Sequence, residues 1–539
     1  MARRMRECVE RLVEAVEEGY SVVFEAPTGY GKSSGAVEGF ERISRAVPRL
    51  VHVLPLRAIV EQVYRWALER LGGVWSVGYQ ASGLGIGGKA PFMAADYVVS
   101  TYDSFLVNLF RGNVAEHGLG HYEVPRAHIL SSIVYLDEAH MGLDIPSFKA
   151  SLIALGWMGV QSVVATATLA PSTAREMVEI LNPSRRDPVK HIVVSREGVD
   201  GGVEACVDRE FFSLVEGVEW SYEYMPGASP ESGVDTLAKR VAELVETGLR
   251  VFVGVSTPEE AVRVYKALLE AGVGSVALVH GRLAVVDRLA SVSRLGGVKV
   301  LVGTSAVEAG VDADFDALVT TAGGVVGLAS LIQRMGRVCR RPWSRRCERA
   351  LVYLVGGEEA RRYAELFSER GVNPRIPDTY RDLLELETRG GRGDADTLAH
   401  TILGGALLLP SDVESIAKTL CDMVRVDNPI VPLIPLELLE EGLAVEEAIV
   451  TVSLSWLSRS YRRVLDVGKD GCVKVAYIDS SSGELRTRCS ALKASHLEKR
   501  QAACRRITTI LYTPLEERGS KLIPVGLAAR GYRRGTGLV

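Results

Sequence analysis

Apolar positions along this chain recur with two different spacings, and the spacings alternate. Across residues 3–19 the apolar side chains Met5, Val9, Leu12, Val13 and Val16 fall on one helical face. Residues 20–25 then form a short apolar run, followed by a glycine-rich turn and a helical stretch to about Val47. Further apolar, β-branched runs at 50–54, 97–101, 133–136, 163–166 and 191–195 predict buried strands separated by helices. That is the pattern of a parallel sheet covered on both faces. The alternation breaks over 196–230, where Gly201-Gly202, Pro226-Gly227 and Pro230 predict a linker with some strand character. It restarts with strands at 251–255, 276–279, 299–302, 317–320 and 350–355, and helices beginning at Pro258 and near Val285. After about Glu387 the texture changes. Arg389-Gly390-Gly391-Arg392-Gly393 reads as a joint and Pro410-Ser411-Asp412 as a helix start, with short strands at 449–454, 472–478 and 507–512. The predicted organisation is one α/β unit over 1–197, a linker over 198–232, a second α/β unit over 233–386 and a smaller mixed domain over 387–539.

Composition narrows the class. The 539 residues are 47% hydrophobic and 24% charged, as in a soluble globular protein. No apolar run approaches the roughly 18 residues of a membrane span, and the first residues carry no secretory signal, so a cytoplasmic protein with no membrane partner is expected. A net charge of −4 excludes a uniformly basic nucleic-acid coat; any such contact is local. The eight cysteines include no Cys-x-x-Cys, which predicts neither a zinc ribbon nor a redox dithiol, and mostly free thiols. Only five glutamines and five asparagines occur. Avoidance of thermolabile amides fits a thermophile, and genome composition explains it equally well.

Candidate chemistry sits at strand ends. Ala26-Pro27-Thr28-Gly29-Tyr30-Gly31-Lys32-Ser33 follows one strand and opens a helix. The backbone around Thr28, Gly29 and Gly31 can close around an oxyanion. Lys32 would reach the β- and γ-phosphates of a nucleotide, and the Ser33 hydroxyl would hold Mg²⁺. Ala26 stands where the generic loop has its first glycine. Asp137-Glu138-Ala139-His140 ends another strand. Asp137 suits a Mg²⁺ ligand, Glu138 a general base for the attacking water, and His140 a link to the second unit. Alone, the same residues would read as an acidic helix cap. Thr166 and Thr168, at the end of the next strand, offer hydroxyls that can couple to this pair.

In the second unit, Gln333-Arg334-Met335-Gly336-Arg337-Val338-Cys339-Arg340 is the most specific pattern. Arg337 and Arg340 lie three apart and can point at one anion. Arginines delivered from a neighbouring domain neutralise the charge on a transferring phosphoryl group. In the block 304–312, Asp312 could take a ribose hydroxyl and Thr304 a nucleic-acid phosphate.

In order along the chain, these motifs resemble those of a superfamily 2 DEAH-type helicase. Leu54-Pro55-Leu56-Arg57-Ala58, Val99-Ser100-Thr101-Tyr102-Asp103-Ser104-Phe105, and His280-Gly281-Arg282 with Asp287-Arg288 are similar to one branch, the CRISPR-associated helicase of type I interference systems. The resemblance covers about residues 1–385. It implies two tandem RecA-like domains with ATP and Mg²⁺ between them, the second supplying Arg337, Arg340, Gln333 and Asp312. It further implies translocation on single-stranded DNA opened by a guide-RNA surveillance complex, with strand contacts at Arg57, Thr101, Thr304 and Arg282. Family members often carry an N-terminal HD nuclease. Here the phosphate loop begins at Ala26 and none of the nine histidines is followed by aspartate, so a separate HD nuclease subunit is expected. No glutamine precedes Gln62, which leaves selection of ATP over GTP open. The basic clusters Lys499-Arg500, Arg505-Arg506 and Arg530, Arg533, Arg534 could guide nucleic acid, dock a partner or form a solvated face. Two alternatives stand beside the interference helicase: a DEAH-type helicase of DNA repair or RNA processing, and a nucleotide-gated structural subunit that does not unwind.

Overall fold

Three sheets organise the chain in a computed structural model, which describes residues 5–81, 87–110, 123–143, 145–183, 189–198, 202–227, 230–307, 313–324, 326–340, 347–387, 395, 399, 421, 430–517 and 519–538. The first sheet contains β1 (Ser21–Glu25), β2 (Leu50–Leu54), β3 (Val77–Gln80), β4 (Tyr97–Thr101), β5 (Ile133–Asp137), β6 (Ser162–Thr166), β7 (Val189–Val194) and β8 (Glu204–Cys206). Their order is β3-β4-β2-β5-β6-β1-β7-β8, and the pairings are parallel. Every residue of β1, β2, β4, β5 and β6 is buried, as expected of strands covered on both faces. Because β5, β6 and β1 are neighbours, Asp137, Thr166 and the phosphate loop emerge side by side at one sheet edge.

The second sheet has β9 (Glu219–Pro226), β10 (Val251–Gly254), β11 (Val276–Val279), β12 (Val300–Gly303), β13 (Ala317–Thr321) and β14 (Arg349–Gly356), in the order β11-β12-β10-β13-β14-β9. The stretch read as a linker is divided between the sheets. β8 extends the first, and β9 pairs with β14 along its whole length in the second. Its mixed aromatic and acidic sequence suits an edge strand with one wet face, which hid it from an apolar-run criterion.

The third sheet is mixed, with β15 (Ile430–Pro435), β16 (Val450–Ser453), β17 (Cys472–Asp479), β18 (Leu485–Lys493), β19 (Leu515–Glu517) and β20 (Ser520–Ala529) in the path β16-β15-β20-β17-β18. Residues 507–512, expected as a strand, instead end the helix Arg500–Tyr512. Its buried positions Ala503, Cys504, Ile507 and Thr508 share one helical face, so packing overrode the β-propensity of Ile507, Thr508, Thr509 and Ile510. The helix start expected at Pro410 lies outside the described residues.

The C-terminal domain is fastened to the second unit. Asp287 accepts hydrogen bonds from Tyr532 Oη (2.8 Å), Arg534 Nε (2.8 Å) and Gly535 N (2.9 Å). Arg534 also pairs with Glu441, and Arg530 with Asp466, both inside the C-terminal domain, so of this cluster Arg534 is the one that joins domains, through Asp287. The chain also returns to the first unit after the helix Glu358–Arg370. Asn373 Nδ2 donates to Val215 O at 3.2 Å, Arg196 N to Asp378 at 2.9 Å, and Ser172 N to Glu385 at 2.6 Å.

The expectation of free thiols is corrected. Cys8 pairs with Cys206, Cys339 with Cys347, Cys421 with Cys504 and Cys472 with Cys489, with Cα–Cα distances of 5.5–5.8 Å. Partners up to 198 residues apart meet only through the fold, which sequence spacing does not register. Among the described residues, no helix is long and apolar enough to cross a membrane.

Candidate functional site: a cleft between two parallel sheets

The phosphate loop leaves β1 and turns through Gly29 (φ 75°) and Gly31 (φ 114°), conformations glycine adopts without strain. The helix Lys32–Glu38 follows at once. Lys32 Nζ donates to Ala26 O (3.2 Å) and Pro27 O (3.4 Å) and lies 3.7 Å from Glu138 Oε1. Ser33 Oγ donates to Asp137 Oδ2 at 2.5 Å. Glu138 is held at φ 50°, ψ 42°, a left-handed conformation that costs a non-glycine residue about 1–3 kcal/mol and aims its carboxylate into the cleft.

The second unit closes the other side. A β-carbon placed on Gly29 would lie 3.6 Å from Arg340 Cγ and Nε, so the arginine rests against the phosphate loop. A β-carbon on Gly336 would lie 2.1 Å from Thr28 Oγ1; only glycine permits that approach. One cavity of about 510 Å³ is lined by Gly29, Gly31, Lys32, Ser33, Asp137, Glu138, Arg337 and Arg340. These sequence-predicted residues, drawn from three separate stretches of the chain, share one space. Asp312 lies outside the described residues.

A chain of polar contacts leads from this cavity across the domain boundary, hydrogen-bonded from His140 onward. His140 Nδ1 lies 3.6 Å from Glu138 Oε2 and 3.1 Å from Thr166 Oγ1. Thr168 N donates to Thr166 Oγ1 at 3.3 Å, and Gln333 Nε2 donates to Thr168 Oγ1 at 3.2 Å.

Several groups around the site escaped the sequence reading. His52, in β2, is fully buried; its Nε2 lies 3.3 Å from Asp137 Oδ2 and its Nδ1 2.7 Å from Tyr97 Oη. Tyr102 Oη donates to Asp137 O and Tyr135 Oη to Lys32 O, both at 2.7 Å. Burial alone would raise the Asp137 pKa; the hydrogen bond and charge of His52, then Lys32 and Ser33, hold it below the usual carboxylate value. A histidine inside the apolar run Leu50-Val51-His52-Val53-Leu54 was the available signal.

The residues fit a Mg²⁺–nucleotide. Ser33 and Asp137 supply adjacent hard oxygen donors. Glu138 lines the cavity, and among the described residues its buried Oε2 has no hydrogen-bond partner, as expected of an atom that faces a polar ligand.

The residues expected to meet a nucleic-acid strand are less gathered. Arg57 lines a second cavity of about 380 Å³ between the first unit and the C-terminal domain, with Asp103, Ser104, Thr451 and Leu511. Thr101 is buried and caps the helix Tyr102–Leu109 by accepting from Ser104 N. Thr304 is buried at the end of β12. Arg282 stands where the second unit meets the C-terminal domain. Its guanidinium binds Glu259 (2.5 and 3.1 Å) and lies 4.3 Å from the centre of the Trp456 ring.

Residues 6–177 match the family model of DEAD/DEAH box helicases. Residues 247–342 match the model of the C-terminal part of the CRISPR-associated nuclease/helicase Cas3. No curated protein matches. Among solved structures, a CRISPR-associated protein is 16% identical with a TM-score of 0.59, over 90% of this chain and 70% of that one. T. fusca Cas3 is 18% identical with a TM-score of 0.52, over 97% of this chain and 64% of that one. T. fusca Cas3 with ATP is 18% identical with a TM-score of 0.57, over 87% and 65%. The chain thus spans somewhat under two thirds of the T. fusca protein and shares its fold.

Proposed function

We propose that this chain, a Cas3-type helicase by its DEAD/DEAH box and Cas3-like C-terminal domains, is the ATP-driven single-stranded-DNA motor of a type I CRISPR interference system. It acts in antiviral defence beside a guide-RNA surveillance complex. An HD nuclease works beside it as a partner; within these 539 residues no histidine is followed directly by aspartate. Scarce amides together with four disulfides support a source that lives hot.

The observation that carries the reading is the contact of Arg340 with the phosphate loop, which puts a guanidinium of one unit beside the nucleotide cradle of the other. Lys32 and the backbone around Thr28, Gly29 and Gly31 bind the phosphates of ATP. Ser33 and Asp137 hold Mg²⁺, which screens the phosphate charge when bound. Glu138 orients the attacking water and takes its proton. Arg337 and Arg340 neutralise the charge that builds on the γ-phosphate oxygens. Gln333, through Thr168, Thr166 and His140, ties the position of the second unit to Glu138. The strand passes Arg57 and is held by phosphate contacts indifferent to base sequence.

The test is ATP hydrolysis measured with single-stranded DNA, with RNA and with no polymer. Strong stimulation by DNA alone is expected. Equal stimulation by RNA would move the chain to the RNA-processing helicases. No stimulation by either would make it a nucleotide-gated structural subunit.

A further inference from the structure

The second unit does not end with its sheet. Past the helix Glu358–Arg370 the chain carries Arg375 into the interior, where it is 2% exposed. Arg375 Nη2 donates to Val338 O at 2.7 Å and to Gly336 O at 3.3 Å. Those carbonyls stand immediately on either side of Arg337. Arg375 N donates to Asn373 Oδ1 at 3.0 Å, so the side chain starts from a fixed point.

Stability does not explain this placement. Burying a guanidinium without a carboxylate partner is costly, and an apolar side chain would fill the volume more cheaply. Burial first, and then nearby Arg340, push the Arg375 pKa down to about 9. Among the described residues its Nη1 has no hydrogen-bond partner. What the guanidinium supplies, and an apolar group cannot, is a rigid clamp on two carbonyls of the arginine-bearing loop.

The same segment then reaches the opposite wall. Tyr380 Oη donates to Ala167 O at 3.0 Å, between Thr166 and Thr168. Arg381 binds both oxygens of buried Glu25, each at 2.9 Å, and His191 Nε2 lies 2.6 Å from the same carboxylate. Glu25 directly precedes Ala26, where the phosphate loop begins.

We propose that Arg375 is a positioning residue for ATP hydrolysis: it fixes the backbone that presents Arg337, while Tyr380 and Arg381 fix that backbone's distance from the phosphate loop. The inference rests on Arg337 acting at the γ-phosphate. The stretch lies beyond the region that matches a Cas3 family model, which stops at residue 342.

The test uses the full chain and reads ATP turnover, nucleotide binding and thermal melting together. A misplacement of about 1 Å at a reacting group can cost about a hundredfold. Arg375→Met is therefore expected to lower kcat by about tenfold to a hundredfold, with KM for ATP within about twofold. Arg375→Lys should recover part of the loss. Combined with Arg337→Ala, Arg375→Met should cost nothing further, because both act through one group. Tyr380→Phe removes one hydroxyl and keeps the packing; it should lower kcat by about fivefold with melting unchanged, and it carries the test should Arg375→Met not fold. Unchanged kcat in these folded variants, or additive loss in the double variant, overturns the proposal. Normal turnover in Arg337→Ala would instead remove the premise about Arg337, a distinct result.

Discussion

At the scale of single residues, the site separates binding from chemistry. Lys32 touches the loop carbonyls and stands beside Glu138, so Lys32→Ala should lose both nucleotide affinity and turnover. Glu138→Gln keeps the shape and removes the base. Turnover should fall by about 10²–10⁴-fold while nucleotide still binds; loss of binding in a titration would reassign the residue. His52 holds Asp137 from behind, as outer partners orient metal ligands. His52→Asn should raise the Mg²⁺ concentration for half-maximal turnover by about 10–100-fold, and an unchanged Mg²⁺ dependence would make His52 a packing residue. The motif residues were legible because phosphate chemistry demands particular side chains at fixed local spacing. His52, Arg375 and Glu25 were not, because each owes its place to a partner at least 37 residues away.

At the scale of elements, the apolar runs predicted the strands that fill the two parallel sheets to within a residue or two. Short edge strands such as β3 and β8 were missed, since an edge needs little apolar sequence. The joint between the second unit and the C-terminal domain was invisible to periodicity, and it is built on a neutral histidine. His280 Nδ1 accepts from Arg282 N at 3.2 Å and Nε2 donates to Thr536 O at 3.1 Å, which uses both ring nitrogens in the uncharged form. Burial, with Arg282 nearby, pushes its pKa from 6.5 down to about 4. The folded form therefore binds the proton less well than the unfolded chain. Its contribution is complete above about pH 6.5 and drains away as pH falls toward 4, on the order of 3 kcal/mol in all. Melting temperature should decline over that window and decline less in His280→Gln. Parallel pH curves for the two proteins would remove the histidine from the account.

At the scale of the whole molecule, each of the four covalent ties closes within one unit. The bridge Cys8–Cys206 closes 198 residues and Cys421–Cys504 closes 83. Loops of that size restrict the unfolded chain by about 4 kcal/mol or more each. A thiol reagent under denaturing, non-reducing conditions should find no free cysteine, and reduction should lower the melting temperature. Eight reactive thiols in the untreated protein would contradict the pairing. The chain also crosses between the two α/β units twice, once outward before β9 and once homeward after Val372, and Asn373 binds Val215 where those crossings run side by side. Beside that crossing, Glu385 holds Ser172, Gln333 holds Thr168 and Arg381 holds Glu25, so the second body is tied to the first at several points and not by a single thread of chain.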